Sequence, residues 1–156
     1  MIDPIRRSVV VACTVDQAFT VFTEGMGGWW PTDAFSRAAD RDEDQVKTER
    51  VVVEPWQGGR IFETMSDGSE GGWGTVLVWD PPNRLVMAWK PNRTELPPTE
   101  VEVQFIEQDD GRTRVDLEHR GWERLGELAR QARSEYTNGW PLVFDERFAA
   151  AADEAA

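Results

Sequence analysis

The chain is short of the side chains on which most protein chemistry relies. It has one cysteine, Cys13, one histidine, His119, and one tyrosine, Tyr136. A lone cysteine excludes an intrachain disulfide and a cysteine-cluster zinc site, which suits a reducing cytoplasm. A single histidine and no GxSxG elbow leave little from which to build a nucleophilic triad. No apolar run approaches the ~20 residues of a membrane-spanning helix, and no charged-then-apolar leader opens the chain. A cytoplasmic protein without membrane contact is therefore expected. Positive charge is scarce as well: 17 Lys and Arg face 29 Asp and Glu, for a net charge of −12. Arg6, Arg7, Arg112 and Arg114 are too few and too interleaved with acids to form a basic patch, so nucleic acid and anionic lipid are excluded as partners.

What is present points to one domain over residues 1–156. A chain of this length buries roughly 68–70% of its unfolded surface and needs no metal or disulfide to fold. Ile5 to Cys13 reads as a first strand. Thr14 and Gln17 stand at capping-box spacing before a helix whose buried face is Val15, Ala18, Phe19 and Phe22, closed by Gly25. Met26 to Gln45, with Trp29, Trp30 and Pro31, reads as a short helical turn and a long exposed loop. Strands are then expected at Thr48–Glu54, Arg60–Met65, Trp73–Trp79, Leu85–Lys90, Glu100–Glu107 and Arg112–His119. The turns between them carry Gly58 and Gly59, Asp67 and Gly68, Pro81 and Pro82, Pro91 to Pro98, and Asp110 with Gly111.

Parity along these strands separates an apolar from a charged face. Leu85, Met87 and Trp89 oppose Arg84 and Lys90; Val101, Val103 and Phe105 oppose Glu100, Glu102 and Gln104; Val115, Leu117 and His119 oppose Arg114, Asp116 and Glu118. Trp73, Leu77 and Trp79 are placed on one face, although Val76 and Val78 blur the pattern. Such a sheet needs a cover on its apolar side. The cover is the stretch from Ser134 to Ala152, where Tyr136, Trp140, Val143, Phe144, Phe148 and Ala151 recur at three- and four-residue intervals. Asn138 is a candidate cap and Pro141 falls in the first turn, so the helix is expected to start or kink there. Leu125, Leu128, Ala129 and Ala132 continue the spacing upstream, as a separate helix or an extension.

The eight tryptophans are the main functional signal. A buried tryptophan is commonly core, worth about 3–5 kcal/mol on truncation. A cavity wall is the alternative, because an indole offers a broad apolar face and one N–H. Trp30, Trp73, Trp89 and Trp140 are the candidates to stack on a planar ligand. Phe62, Leu77, Met87, Val103, Phe105, Leu117, His119 and Phe144 complete the candidate lining. His119 is a weak catalytic candidate and otherwise a histidine satisfied near a strand end. Glu63 is another: it points inward if Ile61 and Met65 do, or is solvated if Phe62 and Thr64 face in. Cys13 reads as a small buried side chain. Asp40, Asp42 and Asp44 alternate like a calcium loop but lack its glycine and distal glutamate, so no metal site and no cofactor are expected.

The order of elements resembles the START-like, or SRPBCC, superfamily. The strings GGRIFE at Gly58–Glu63, DGSEGGWG at Asp67–Gly74, WDPPNRLVMAW at Trp79–Trp89, TRVDLEHRGWERLG at Thr113–Gly126 and NGWPLVFDERF ending at Phe148 resemble its branch named for activators of heat-shock protein 90 ATPase. The resemblance implies an α+β helix-grip fold, a curved antiparallel sheet around a long C-terminal helix, with a cavity between them. Family members bind lipids, hormones and other apolar molecules there, or act on polyketides. It does not imply chaperone stimulation, since the eukaryotic activators carry a separate N-terminal chaperone-binding domain for which this chain has no room.

Four functions follow as expectations. The first is binding of a small apolar or aromatic molecule, and the second an enzyme of cyclase, dehydratase or hydrolase type using His119 or Glu63. The third is a chaperone ATPase accessory protein, and the fourth a protein-binding surface over a filled cavity. Homodimerisation through a sheet edge stays open.

Overall fold

The computed structural model describes residues 2–41, 45–90 and 96–156. Seven strands form one antiparallel sheet: β1 Ile5–Val11, β2 Thr48–Val53, β3 Arg60–Met65, β4 Glu70–Asp80, β5 Arg84–Trp89, β6 Thr99–Glu107 and β7 Thr113–Arg120. Their spatial order is β1-β7-β6-β5-β4-β3-β2, so β2 through β7 form a meander and β1 joins its far edge. The connection between the two edges carries α1 Val15–Thr23, α2 Met26–Trp29 and α3 Arg37–Arg41. Thr14 caps α1 as expected: its hydroxyl accepts from Gln17 N at 3.2 Å, and Gln17 Oε1 accepts from Thr14 N at 3.0 Å.

The segment after α1 is less exposed than its composition suggests. Met26, Trp29, Trp30, Ser36 and Ala38 are all buried, and α3 forms where only a loop is expected. The expectations at Asp42, Asp44 and Pro91 lie outside the described residues.

Two irregularities in β4 decide which side chains reach the concave face. Phe62 pairs with Gly72 and Ile61 with Gly74, leaving Trp73 as an extra residue in this ladder. Val76 pairs with Met87 and Val78 with Val86, leaving Leu77 as the extra residue in the next. A bulge re-aims side chains by breaking the two-residue period. Trp73 and Val76 are buried as a result, while Leu77 is turned outward and 38% exposed. The expectation that Leu77 shares the face of Trp73 and Trp79 is thus corrected. On β3, Ile61, Glu63 and Met65 take the concave side, and Phe62 lies on the other, under the Arg60 guanidinium at 4.2 Å.

The cover is a single helical run. After 3₁₀ turns at Trp122–Leu128, α4 spans Ala129–Trp140, wider π-type turns follow at Pro141–Phe148, and α5 closes the run at Ala149–Glu154. Trp140 and Pro141 have ordinary helical angles (φ −57°, ψ −37° and φ −56°, ψ −42°), so the chain neither starts nor breaks near Asn138. Proline lacks an N–H and crowds the carbonyl of the preceding turn; the wider turns accommodate both defects. The end of this run packs against α1 and β1, with Phe148 at 5.3 Å from Phe22 and stacked on Phe144 at 5.4 Å.

Gly74 marks the closest approach within the sheet. A Cβ there would lie 1.8 Å from the Ala88 carbonyl oxygen, whereas one at Gly72 meets nothing within 4 Å. Gly74→Ala is therefore expected to lose about 1–3 kcal/mol or more in urea denaturation, as overpacking does. Gly72→Ala, with open space around it, should change stability by less than about 0.5 kcal/mol.

Candidate functional site

A cavity of about 420 Å³ lies between β4, β5 and the first half of the C-terminal helical run, with the segment joining α2 to α3 as its third wall. Its aromatic wall is Trp30, Trp73, Trp89, Tyr136 and Trp140, and Phe35 stands beside them. Trp30 is the centre of the group, with ring centroids 5.1 Å from Trp73, 5.5 Å from Trp89 and 6.0 Å from Trp140. These separations are those of favourable tilted and edge contacts. Ser36, Arg37, Lys90, Gln131 and Glu135 supply polar groups around the same space.

The four indoles reach this wall from four elements, and each N–H has an acceptor. Trp30 Nε1–H donates to Phe35 O at 2.6 Å. Trp73 Nε1–H donates to Glu63 Oε1 at 2.8 Å, Trp140 Nε1–H to His119 Nδ1 at 3.1 Å, and Trp89 Nε1–H to the Tyr136 hydroxyl at 3.2 Å.

Glu63 is fully buried. Besides Trp73 it accepts from the backbone N–H of Arg37, from that of Ala38 at 3.3 Å, and from the Thr48 hydroxyl at 2.6 Å. The carboxylate thus closes the start of α3 and fixes Trp73 to it. Of the two placements open for Glu63 from sequence, the inward one is observed, because four donors converge on that point.

His119 is also fully buried. The Trp140 indole can only donate, so Nδ1 accepts and the neutral ring carries its proton on Nε2. That proton goes to Thr99 Oγ1 at 2.7 Å, whose own proton goes to Trp89 O at 3.1 Å. The ring lies 4.2 Å from Trp122 and 4.6 Å from Tyr136. Burial alone holds its pKa down at about 3. Cys13 is buried, and burial pushes its thiol up. Among the described residues no cluster of His, Cys, Asp and Glu could hold a metal ion.

The structure thus gathers four of the expected lining residues, Trp30, Trp73, Trp89 and Trp140, around one cavity. Met87, Val103, Phe105, Leu117 and Phe144 are buried in the apolar core away from it, and His119 stands behind Trp140. Phe62 and Leu77 lie on the other side of the sheet for the reasons given above. Tyr136 was legible only as a stripe residue, although it is the one tyrosine and stands four residues before Trp140. Phe35 and the polar rim carried no pattern that could have marked them.

Two measurements probe these buried groups. Because the folded pKa of His119 lies below its unfolded value of 6.5, the unfolded chain takes up a proton first as pH falls. Its contribution is complete above 6.5 and declines towards about 3, by at most ~1.4 kcal/mol per pH unit. Denaturation between about pH 6.5 and 5, above the bulk of carboxylate titration, should show this slope, and His119→Gln should flatten it. Glu63→Gln replaces an acceptor by a donor facing other donors. It should lower stability by about 1–3 kcal/mol and blue-shift or broaden the tryptophan emission as Trp73 loses its anchor.

The family model described as Activator of Hsp90 ATPase homolog 1-like protein matches residues 12–153. Among solved structures, Txn09, titled an anthrahydroquino-γ-pyrone synthase, is 34% identical, with 96% of this chain and 97% of that one covered and a TM-score of 0.63. CalC from Micromonospora echinospora, titled a self-sacrificing resistance protein, is 28% identical, with 97% and 94% covered and a TM-score of 0.71. MLL2253 from Mesorhizobium loti, at 15% identity and a TM-score of 0.65 with 99% of each chain covered, shares the fold. No curated protein matches. With a helix-grip architecture and a family match over nearly its whole length, the chain belongs to the Activator of Hsp90 ATPase homolog 1-like family.

Proposed function

We propose that this protein binds a planar, fused aromatic molecule in the cavity between sheet and helix. The observation that carries this reading is the convergence of four indoles and one phenol on a single space of about 420 Å³. That volume falls in the ~300–1,000 Å³ range of small-molecule sites. An aliphatic ligand gains little from π faces, whereas a flat ring system can stack on several of them. Polar groups at Arg37, Lys90, Gln131 and Glu135 leave room for a ligand with one hydrophilic end. The name of Txn09, a synthase of a fused aromatic pyrone, supports the same ligand class.

A second reading is catalysis on such a molecule, and the 34% identity to that synthase over 96% of this chain favours it. His119 and Glu63 do not line the cavity, and their ring nitrogens and carboxylate oxygens are already hydrogen-bonded. In this reading the chemistry runs through groups on the wall itself.

Titration of the purified protein with fused tricyclic aromatics should quench tryptophan emission and raise the unfolding temperature, while fatty acids of similar volume do neither. Trp30→Leu, which keeps the wall apolar but removes its central ring, should weaken aromatic binding about fivefold. Equal binding of aliphatic and aromatic ligands would sink the reading. Mass spectrometry of the same mixtures separates the two versions, since only an enzyme converts the bound molecule.

A further inference from the structure

The hydrogen bonds on the aromatic wall leave one donor without an acceptor. The indole N–H groups of Trp30, Trp73 and Trp140 are engaged by Phe35 O, Glu63 and His119. That of Trp89 points at the Tyr136 oxygen. An indole has no lone pair to offer in return, so Trp89 occupies an acceptor site on Tyr136 and leaves the phenolic O–H as a donor. Among the described residues that O–H has no acceptor, and Tyr136 lies on the cavity wall. The Ser36 hydroxyl is not a competitor, because its proton goes to Thr32 O at 2.6 Å. Of the other donors that line the cavity, Arg37 Nε–H donates to Gly72 O at 3.0 Å, and Lys90 and Gln131 are exposed, where solvent satisfies them with or without a ligand. Among the described residues, the aromatic wall therefore presents π faces and a single uncommitted side-chain proton.

We propose that Tyr136 is the specificity-determining donor of this cavity, and that it selects planar aromatic ligands carrying a carbonyl or quinone oxygen over bare arenes. The inference rests on the aromatic-ligand reading above and goes further by naming the atom that distinguishes one arene from another. The geometry suits the role. Tyr136 stands on α4, its ring 6.0 Å from that of Trp140 and 5.6 Å from that of Trp122. Rings on both sides and the Trp89 N–H fix the phenol in place, so little is lost in ordering it when a ligand arrives. Its side chain is partly exposed because one edge borders the cavity, yet protein atoms crowd the hydroxyl, and burial pushes its pKa up to about 12. The proton is therefore retained throughout the neutral range. An unmade hydrogen bond in a site of this kind is costly, and a ligand without an acceptor leaves the O–H unpaired.

The test uses two probes matched in ring count and charge, anthraquinone sulfonate and anthracene sulfonate, titrated by calorimetry into the wild type and Tyr136→Phe. The wild type should prefer the quinone, and the variant should lose about fivefold in quinone affinity while its arene affinity stays within about twofold. Retained arene binding also shows that the variant is folded with its cavity intact. A second measurement needs no variant: the carbonyl stretch of the bound quinone should move to lower frequency than in an aprotic solvent. A wild type that binds both probes equally and leaves the carbonyl band unshifted overturns the role of Tyr136 while sparing the aromatic cavity. A wild type that binds neither probe overturns the aromatic reading itself, and the inference with it.

Discussion

Burying an indole removes its N–H from water, and the cost is offset only if an acceptor is waiting. Four tryptophans around one cavity impose that demand four times, and much of the surrounding structure answers it. Glu63 is held inside the sheet, where it serves Trp73 and the start of α3 together. His119 sits at the end of β7 facing Trp140, and passes the polarity on through Thr99 to the backbone of Trp89. The turn after Pro31 brings Phe35 O to Trp30. The two buried residues that resemble catalytic groups are thus part of the scaffold that orients the rings.

The same arrangement divides the molecule into two ends. Towards α1 and α5 the concave face is filled by Phe19, Phe22, Phe105, Phe144 and Phe148 in edge and stacked contacts. Towards α3 and α4 the tryptophans also touch one another, but as a wall with the cavity along it. The outer face is ionic. Arg120 reaches Glu100, Glu102 and Glu118 at 3.1, 2.6 and 2.8 Å, and Arg84 reaches Glu102 at 2.6 Å. With an excess of acids around them, these arginines neutralise a sheet surface that would otherwise repel itself. The family takes its name from chaperone ATPase activation. The most distinctive region of this member is the aromatic interior.

Much of the fold was legible because short-range rules govern it. Alternation along β5, β6 and β7 placed Leu85, Met87, Val103 and Leu117 inside, and all are buried. The Thr14–Gln17 box set the start of α1. Where the period was broken, the reading failed. Leu77 follows its neighbours in sequence, but an unpaired residue in the ladder turns it outward. Pro141 looks like a helix start, yet its φ suits a helix interior once the turns widen. Glu63 defeats any charge-based rule, since what draws it inward is a set of donors from residues 15 to 26 positions away in sequence and from Trp73.

The sequence by itself determined the sheet, its covering helix, the family and the stock of tryptophans. Periodicity and local capping are properties of neighbouring residues, and they survive in one dimension. Only the tertiary structure decided which tryptophans border a space and which fill the core. It also decided that Tyr136 borders that space and that its hydroxyl accepts from the Trp89 indole. These outcomes depend on which acceptor each N–H meets across the fold, and that pairing exists only once distant segments are brought within hydrogen-bond reach.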